Sequence, residues 1–334
     1  MAKIFLLIAI AAIVIALAAI VIFAYLMNGK NQEIKYSQNL CVNAQPGSNA
    51  VSIAINSGIS CFRDDVYLND SSFSGFVSNV TQEGGSITGI IDYDTLGVVI
   101  RNGTCASMCN WTLEQWNTTV TKAVEEYPGI KTWEIWNEPL VPLFMSGYEN
   151  GSAYDYYEMI KSAYYIIKSK QQNSTIICFG GAQIFPPSQE QLSFYAKVWS
   201  YGAAKYCDAI SVHAYSLPFY NMNQQTGEGN VAQLFNYSLS QYESLTGKPI
   251  YVTETGIPSN NWTYGQNFSE NNQARFLYQD VALFSSHSYV KAIYWFNLYG
   301  NTGYGADFGL LNPNLTPKQS FIEYSSLSAK NIFH

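Results

Sequence analysis

Charge is scarce in this chain: Asp, Glu, Lys and Arg make up 12% of its 334 residues, against about 25% in an average soluble protein. Its polar surface must come from uncharged side chains, chiefly Tyr, Asn, Ser, Gly and Thr. The net charge is -7, and no Lys/Arg cluster lies outside the extreme N-terminus. That excludes the electrostatic footprint needed to wrap phosphates, so nucleic acid is not an expected partner. Histidine is rare too, with three in the chain. The Cys105-x-x-x-Cys109 pair has no nearby His or second Cys pair to complete a tetrahedral zinc site, so no metal is expected. No internal repeat, low-complexity tract or second linker interrupts the sequence, which excludes a solenoid and favours one large domain.

The N-terminus, by contrast, is rich in apolar residues. Ile4–Met27 is an uninterrupted apolar run, about 36 Å long as a helix at ~1.5 Å per residue, enough to cross a bilayer core of ~30 Å. It reads as a membrane anchor over residues 1–27, with a cleaved signal segment as the alternative. A linker follows over residues 28–36, and a domain of roughly 300 residues over 37–334, close to the ~250 typical of a (β/α)8 barrel. Lysines flank the span on both sides, so charge does not orient it. The six cysteines form an even set suited to disulfides in an oxidising compartment, with connectivity left open. Asn-x-Ser/Thr sequons recur from Asn69 to Asn314 and are glycan acceptors if the domain is exported. These features point to a domain held outside the cell, with the membrane as a partner through residues 4–27.

From residue 37 onward, apolar strands alternate with amphipathic helices, the sign of a parallel sheet covered by helices. Eight strands are predicted: Ser37–Val42, Ile59–Arg63, Ile87–Tyr93, Thr132–Asn137, Thr175–Gly180, Ala209–Ala214, Ile250–Glu254 and Ala292–Asn297, with a last helix near Lys318–Leu327. The fold class is therefore α/β, a TIM barrel preceded by one transmembrane helix. Segments entering strands are short, such as Tyr127-Pro128-Gly129. Those leaving strands are long and carry Trp111, Tyr148, Tyr220, Trp262, Tyr264, Tyr299 and Tyr304. Elaboration confined to the C-terminal rim is where a barrel builds its site, and aromatic rings there suit the apolar faces of sugars.

Two carboxylates stand at predicted strand ends. In Trp133-Glu134-Ile135-Trp136-Asn137-Glu138-Pro139 the alternation puts Glu134, Trp136 and Glu138 on one face. Asn137 joins Glu138 only if the strand end bulges or turns, which Pro139 favours. In Ile250-Tyr251-Val252-Thr253-Glu254-Thr255-Gly256 it aligns Ile250, Val252 and Glu254 toward the axis. Glycoside hydrolysis needs two carboxyl groups flanking the scissile bond.

Trp136–Pro139, Thr253–Gly256 and Tyr294–Phe296 resemble barrel strands four, seven and eight of glycoside hydrolase clan A, and the resemblance covers most of residues 37–330. It does not single out one family: Thr253–Ser259 is similar to the β-1,3-glucanases of family seventeen, and Glu134–Pro139 with Phe308–Lys318 to families five and thirty-nine. The resemblance implies Glu138 as acid/base and Glu254 as nucleophile of a retaining hydrolase acting on a β-linked polysaccharide or oligosaccharide. It implies Asn137 as the partner of the sugar 2-hydroxyl, Arg63, His213 and Tyr215 as substrate-binding residues, and Trp295 as the sugar platform. Such a mechanism requires no cofactor. A surface-glycan transglycosylase using the same intermediate, or a non-catalytic sugar-binding barrel, are the alternatives.

Overall fold

The computed structural model describes residues 39–46, 49–97, 99–101, 104–107, 111–140, 153–183, 189–215, 227–260, 268–300 and 305–331. The elements run β1 (Asn39–Asn43), α1 (Ala50–Asn56), β2 (Cys61–Asp65), α2 (Ser71–Gln82), β3 (Ser86–Ile91), β4 (Val99–Arg101), β5 (Thr104–Ser107), α3 (Leu113–Glu126) and β6 (Thr132–Ile135). They continue with α4 (Ala153–Lys170), β7 (Thr175–Gln183), α5 (Gln189–Ser200), β8 (Ala209–Ala214), α6 (Gly227–Thr246), β9 (Ile250–Thr255), α7 (Glu270–Ser285), β10 (Val290–Trp295) and α8 (Gln319–Asn331). Eight strands close a barrel in the order β1-β10-β9-β8-β7-β6-β3-β2, while β4 and β5 form a separate antiparallel hairpin. Every barrel pairing is parallel.

All eight expected strands are present, with ends displaced by a few residues. Their runs are continuous because both faces are covered: every residue of β8 is buried, as two-sided burial of a parallel strand requires. The helices show why they pack outside. Helix α3 buries Trp116, Val120, Ala123 and Val124, one stripe of a 3.6-residue period, and starts at a capping box in which Thr112 and Gln115 exchange hydrogen bonds. The Trp116 indole donates to Met159 O at 3.1 Å and ties α3 to α4. Closure between β1 and β10 is sealed from α8, where Tyr324 Oη lies 2.6 Å from Cys41 O and 2.9 Å from Ile293 O.

The cysteine set resolves into Cys41–Cys61, joining β1 to β2, and Cys178–Cys207, joining β7 to the approach to β8. The side chains of Cys105 and Cys109 lie outside the described residues. So does the anchor expected over residues 4–27. Among the described residues no helix is long and apolar enough to cross a membrane.

Candidate active site

At the C-terminal rim, β6 stops at Ile135, and the chain turns through positive φ at Trp136 (70°) and Glu138 (46°). The turn stays fastened to both neighbouring strands: Trp136 N donates to Ile91 O at 2.9 Å and Glu138 N to Gly180 O at 2.5 Å. It rotates Trp136 away, into a stack with Trp111 at 5.4 Å between ring centroids. Asn137 and Glu138 are thereby both delivered to the cleft. The turn that Pro139 favours is thus the one formed. Trp136 contributes no wall to the cleft, and Trp111, read from sequence as a loop aromatic, is buried against it.

β9 departs from simple alternation. Ile250 and Val252, expected to face the axis, pack instead in the core shared with the helices. Tyr251 joins Cys41, Ala292 and Tyr294 in a separate cluster, and Thr253 Oγ1 crosses the barrel to Glu134 Oε1 at 3.2 Å. The pairing shifts from Val212↔Val252 to His213↔Glu254, an extra β9 residue that turns Glu254 inward beside Thr253.

Arg63 organises the floor. Its guanidinium donates from Nε to Glu134 Oε2 at 2.6 Å, from one terminal nitrogen to Asn43 Oδ1 at 2.7 Å and Glu254 Oε1 at 2.8 Å, and from the other to Asn137 Oδ1 at 3.0 Å. The planar fork of arginine suits this set of fixed acceptors. Burial opposes its charge, but Glu134 and Glu254 more than offset that and raise its pKa further. Glu134 is fully buried and pairs with Arg63 beneath the cleft.

The second oxygen of Glu254 accepts from Tyr215 Oη at 2.7 Å. Tyr215 is held edge-on by Phe296 and Phe308 at 6.2 and 6.1 Å. His213 lies between the two carboxylates: Nδ1 is 2.9 Å from Glu138 Oε1, and Nε2 is 3.4 Å from Glu254 Oε1. Burial pulls the imidazole pKa down, yet Glu254 and Glu138 together raise it. The ring fits because the chain at the end of β7 has no side chain there. A Cβ at Gly181 would collide with the His213 imidazole, and one at Gly180 would lie 2.6 Å from Trp136 O. This Gly180-Gly181 requirement was not read from the sequence; the paired glycines ending an apolar strand were the available signal.

The resulting cleft, of about 340 Å³, is bounded by Asn43, Arg63, Asp64, Asp65, Tyr67, Tyr93, Asn137, Glu138, Glu254, Phe296 and Asn297 among others. The Glu138 and Glu254 side chains keep 19% and 12% of their surface exposed, enough to meet a ligand. Trp295, expected as the sugar platform, is only 1% exposed, and its indole donates to Phe308 O at 3.1 Å. The physical reason is strand alternation: the Tyr294 hydroxyl points inside to Thr88 at 2.7 Å, so Trp295 faces the outer layer and Phe296 forms the cleft wall. A larger depression of about 570 Å³ lies against α3, but it is open and bounded by residues of that helix alone, without convergent groups from several strands. Of the rim aromatics, Tyr148, Tyr220, Trp262, Tyr264 and Tyr304 lie outside the described residues, and Tyr299 donates to Pro313 O at 3.3 Å.

The fold is shared with solved glycosidases. It matches a family 39 glycoside hydrolase from the gut symbiont Bacteroides cellulosilyticus at 19% identity and a TM-score of 0.60, over 88% of this chain and 64% of that one. It also matches fungal β-1,4-galactanase at 17% identity and 0.64, over 86% and 99%. A monomeric β-xylosidase from Caulobacter crescentus matches at 16% identity and 0.59, over 87% and 68%. The chain thus spans about two thirds of the family 39 hydrolase and of the xylosidase, but nearly all of the galactanase. No curated protein matches the sequence. The glycosyl hydrolase catalytic core family matches residues 113–321, more than half of the chain, and these residues carry both strand-end glutamates, so the chain belongs to that family.

Proposed function

We propose that this protein is a retaining glycosidase of β-linked glycans in which Glu254 is the nucleophile and Glu138 the acid/base. The observation that carries the reading is the asymmetric support of two carboxylates in one cleft. Glu254 accepts from both Arg63 and Tyr215, donors that fix the orientation of a nucleophile. Glu138 rests against His213 at the end of a turn that directs it toward the same space. One imidazole contacts both carboxylates, which places them in the same cleft.

In this mechanism Glu254 attacks the anomeric carbon while Glu138 gives its proton to the departing glycosidic oxygen, leaving a covalent glycosyl–Glu254 ester. Water then attacks the same carbon, Glu138 takes the water proton, and the Glu254–carbon bond breaks. Asn137, steadied by Arg63, presents its amide to the sugar 2-hydroxyl, and Phe296 offers the ring face assigned from sequence to Trp295. Oxidised Cys41–Cys61 and Cys178–Cys207 pairs support an exported domain, consistent with Ile4–Met27 acting as its anchor.

The test is sugar release from β-glucan, mannan, xylan and galactan by the wild type, Glu138→Gln and Glu254→Gln, with the anomer of the first product followed by NMR. Retention, and loss of at least about 10³-fold in each variant, support the proposal. Inversion or full activity in either variant refutes it. Transfer to an added sugar acceptor in preference to water would identify a transglycosylase.

A further inference from the structure

Four aspartates meet where β2 and β3 reach the rim: Asp64 and Asp65 end β2, and Asp92 and Asp94 follow β3. One carboxylate oxygen from each of Asp65, Asp92 and Asp94 lies within 4.8 Å of those from the other two. Acidic crowding is common and is not by itself a site. Asp92 adds a separate observation. It is completely buried; its Oδ1 accepts from Asp94 N at 2.9 Å, and its Oδ2 has no hydrogen-bond partner. Asp64 Oδ2 is also buried without a partner. A buried carboxylate oxygen left unmatched is costly, and native structures rarely keep one.

Nearby protein charge does not answer this need. Arg63 acts on Asp64 and Asp65, but its nitrogens are engaged with Glu134, Glu254, Asn43 and Asn137. With those nitrogens engaged, no hydrogen bond from a Lys or Arg side chain reaches Asp65, Asp92 or Asp94 among the described residues.

We propose that Asp65, Asp92 and Asp94 bind a divalent cation of the calcium class, joining the ends of β2 and β3 at the side of the cleft that Asp65, Tyr67 and Tyr93 bound. Calcium accepts carboxylates in irregular arrangements at about 2.3–2.6 Å, so opposite ligands stand about 5 Å apart; magnesium demands a near-ideal octahedron at about 2.0–2.1 Å. Oxygens within 4.8 Å of one another are close enough for one ion to touch all three, and the ion that tolerates irregular carboxylate geometry is the expected occupant. Tyr67 and Tyr93 both line the cleft, Tyr67 two residues beyond Asp65 and Tyr93 between Asp92 and Asp94. The ion would thus fix a wall of the substrate site without entering the bond-breaking step.

The closeness of these tyrosines supplies the assay. Terbium luminescence sensitised by tyrosine is titrated in the full-length chain at pH 8, with calcium and magnesium as competitors. Asp92→Asn and Asp94→Asn serve as variants. Saturable terbium binding, displaced by calcium at lower concentration than magnesium and weakened at least tenfold in either variant, is the expected result. Calcium is also expected to raise the wild-type Tm by a few degrees through preferential binding to the folded state. Absence of saturable binding, or binding undiminished in both variants, overturns the proposal. Should neither variant fold, the wild-type melt decides: a Tm unmoved by calcium but raised by acid means that the carboxyls hold shared protons, and the cation site is refuted.

Discussion

Asp280, on α7, offers a proton count that can be tested directly. Its Oδ2 lies 2.5 Å from Thr255 Oγ1, beside Glu254 on β9, while Thr255 Oγ1 also lies 3.1 Å from Ala214 O. The single hydroxyl proton of Thr255 can go to Asp280 or to Ala214 O, so both contacts are filled at once only when the carboxyl carries a proton. Burial agrees, since it raises the Asp280 pKa well above the usual carboxyl range, against an opposing contribution from Thr255. The folded state therefore binds a proton that the unfolded state releases near pH 3.9. With a raised folded pKa, the stabilising contribution is complete below the unfolded pKa and is lost as pH rises toward the folded one. The slope is about 1.4 kcal/mol per pH unit, or roughly 2.7 kcal/mol over two units. Asp280→Asn supplies an N–H donor that never ionises, so its stability should match wild type near pH 3 and exceed it increasingly above pH 4. Asp280→Ala leaves Thr255 without its donor and opens a cavity, costing about 2–4 kcal/mol. Urea unfolding of the three proteins from pH 3 to pH 8 measures all of this. A wild type that gains on Asp280→Asn as pH rises would mean an ionised Asp280 and refute the proton assignment.

Arg63→Lys replaces a fork that reaches four side chains by a single ammonium. Losing two charge-assisted bonds of about 1.5–3 kcal/mol each should lower kcat by at least 100-fold and reduce Tm, as steady-state kinetics and melts would show. Tyr215→Phe removes one donor from Glu254 and should lower kcat about 10–100-fold with little change in Tm; a large Tm loss would assign Tyr215 to packing instead. His213 has a raised pKa, so the stability contributed by its charge is complete below about pH 6.5 and declines as pH rises through the folded value. His213→Gln should remove that component from the pH dependence of unfolding. Cys178→Ser with Cys207→Ser should cost about 2–4 kcal/mol, read from urea unfolding under non-reducing conditions.

Much of this architecture was legible in the chain because it rests on local and periodic signals. Strands such as Ala209–Ala214 are continuous apolar runs, helices such as Leu113–Glu126 carry a one-sided stripe, and both glutamates sit where a strand pattern meets Pro139 or Gly256. Those features follow from burial period and backbone chemistry, which neighbouring residues determine. What alternation misassigned were the irregular ends. The extra residue in β9 sends Ile250 and Val252 to the helices while Glu254 turns inward, and Trp295 yields the cleft to Phe296. A bulge depends on pairing with the adjacent strand, information absent from either strand alone. The same holds for Asn43, Glu134 and the Asp65–Asp92–Asp94 group, which lie far apart along the chain and have no common motif. Only barrel closure sets them around Arg63 and the cleft, because the electrostatic partners of a buried charge are chosen by distance in space and not by position in sequence.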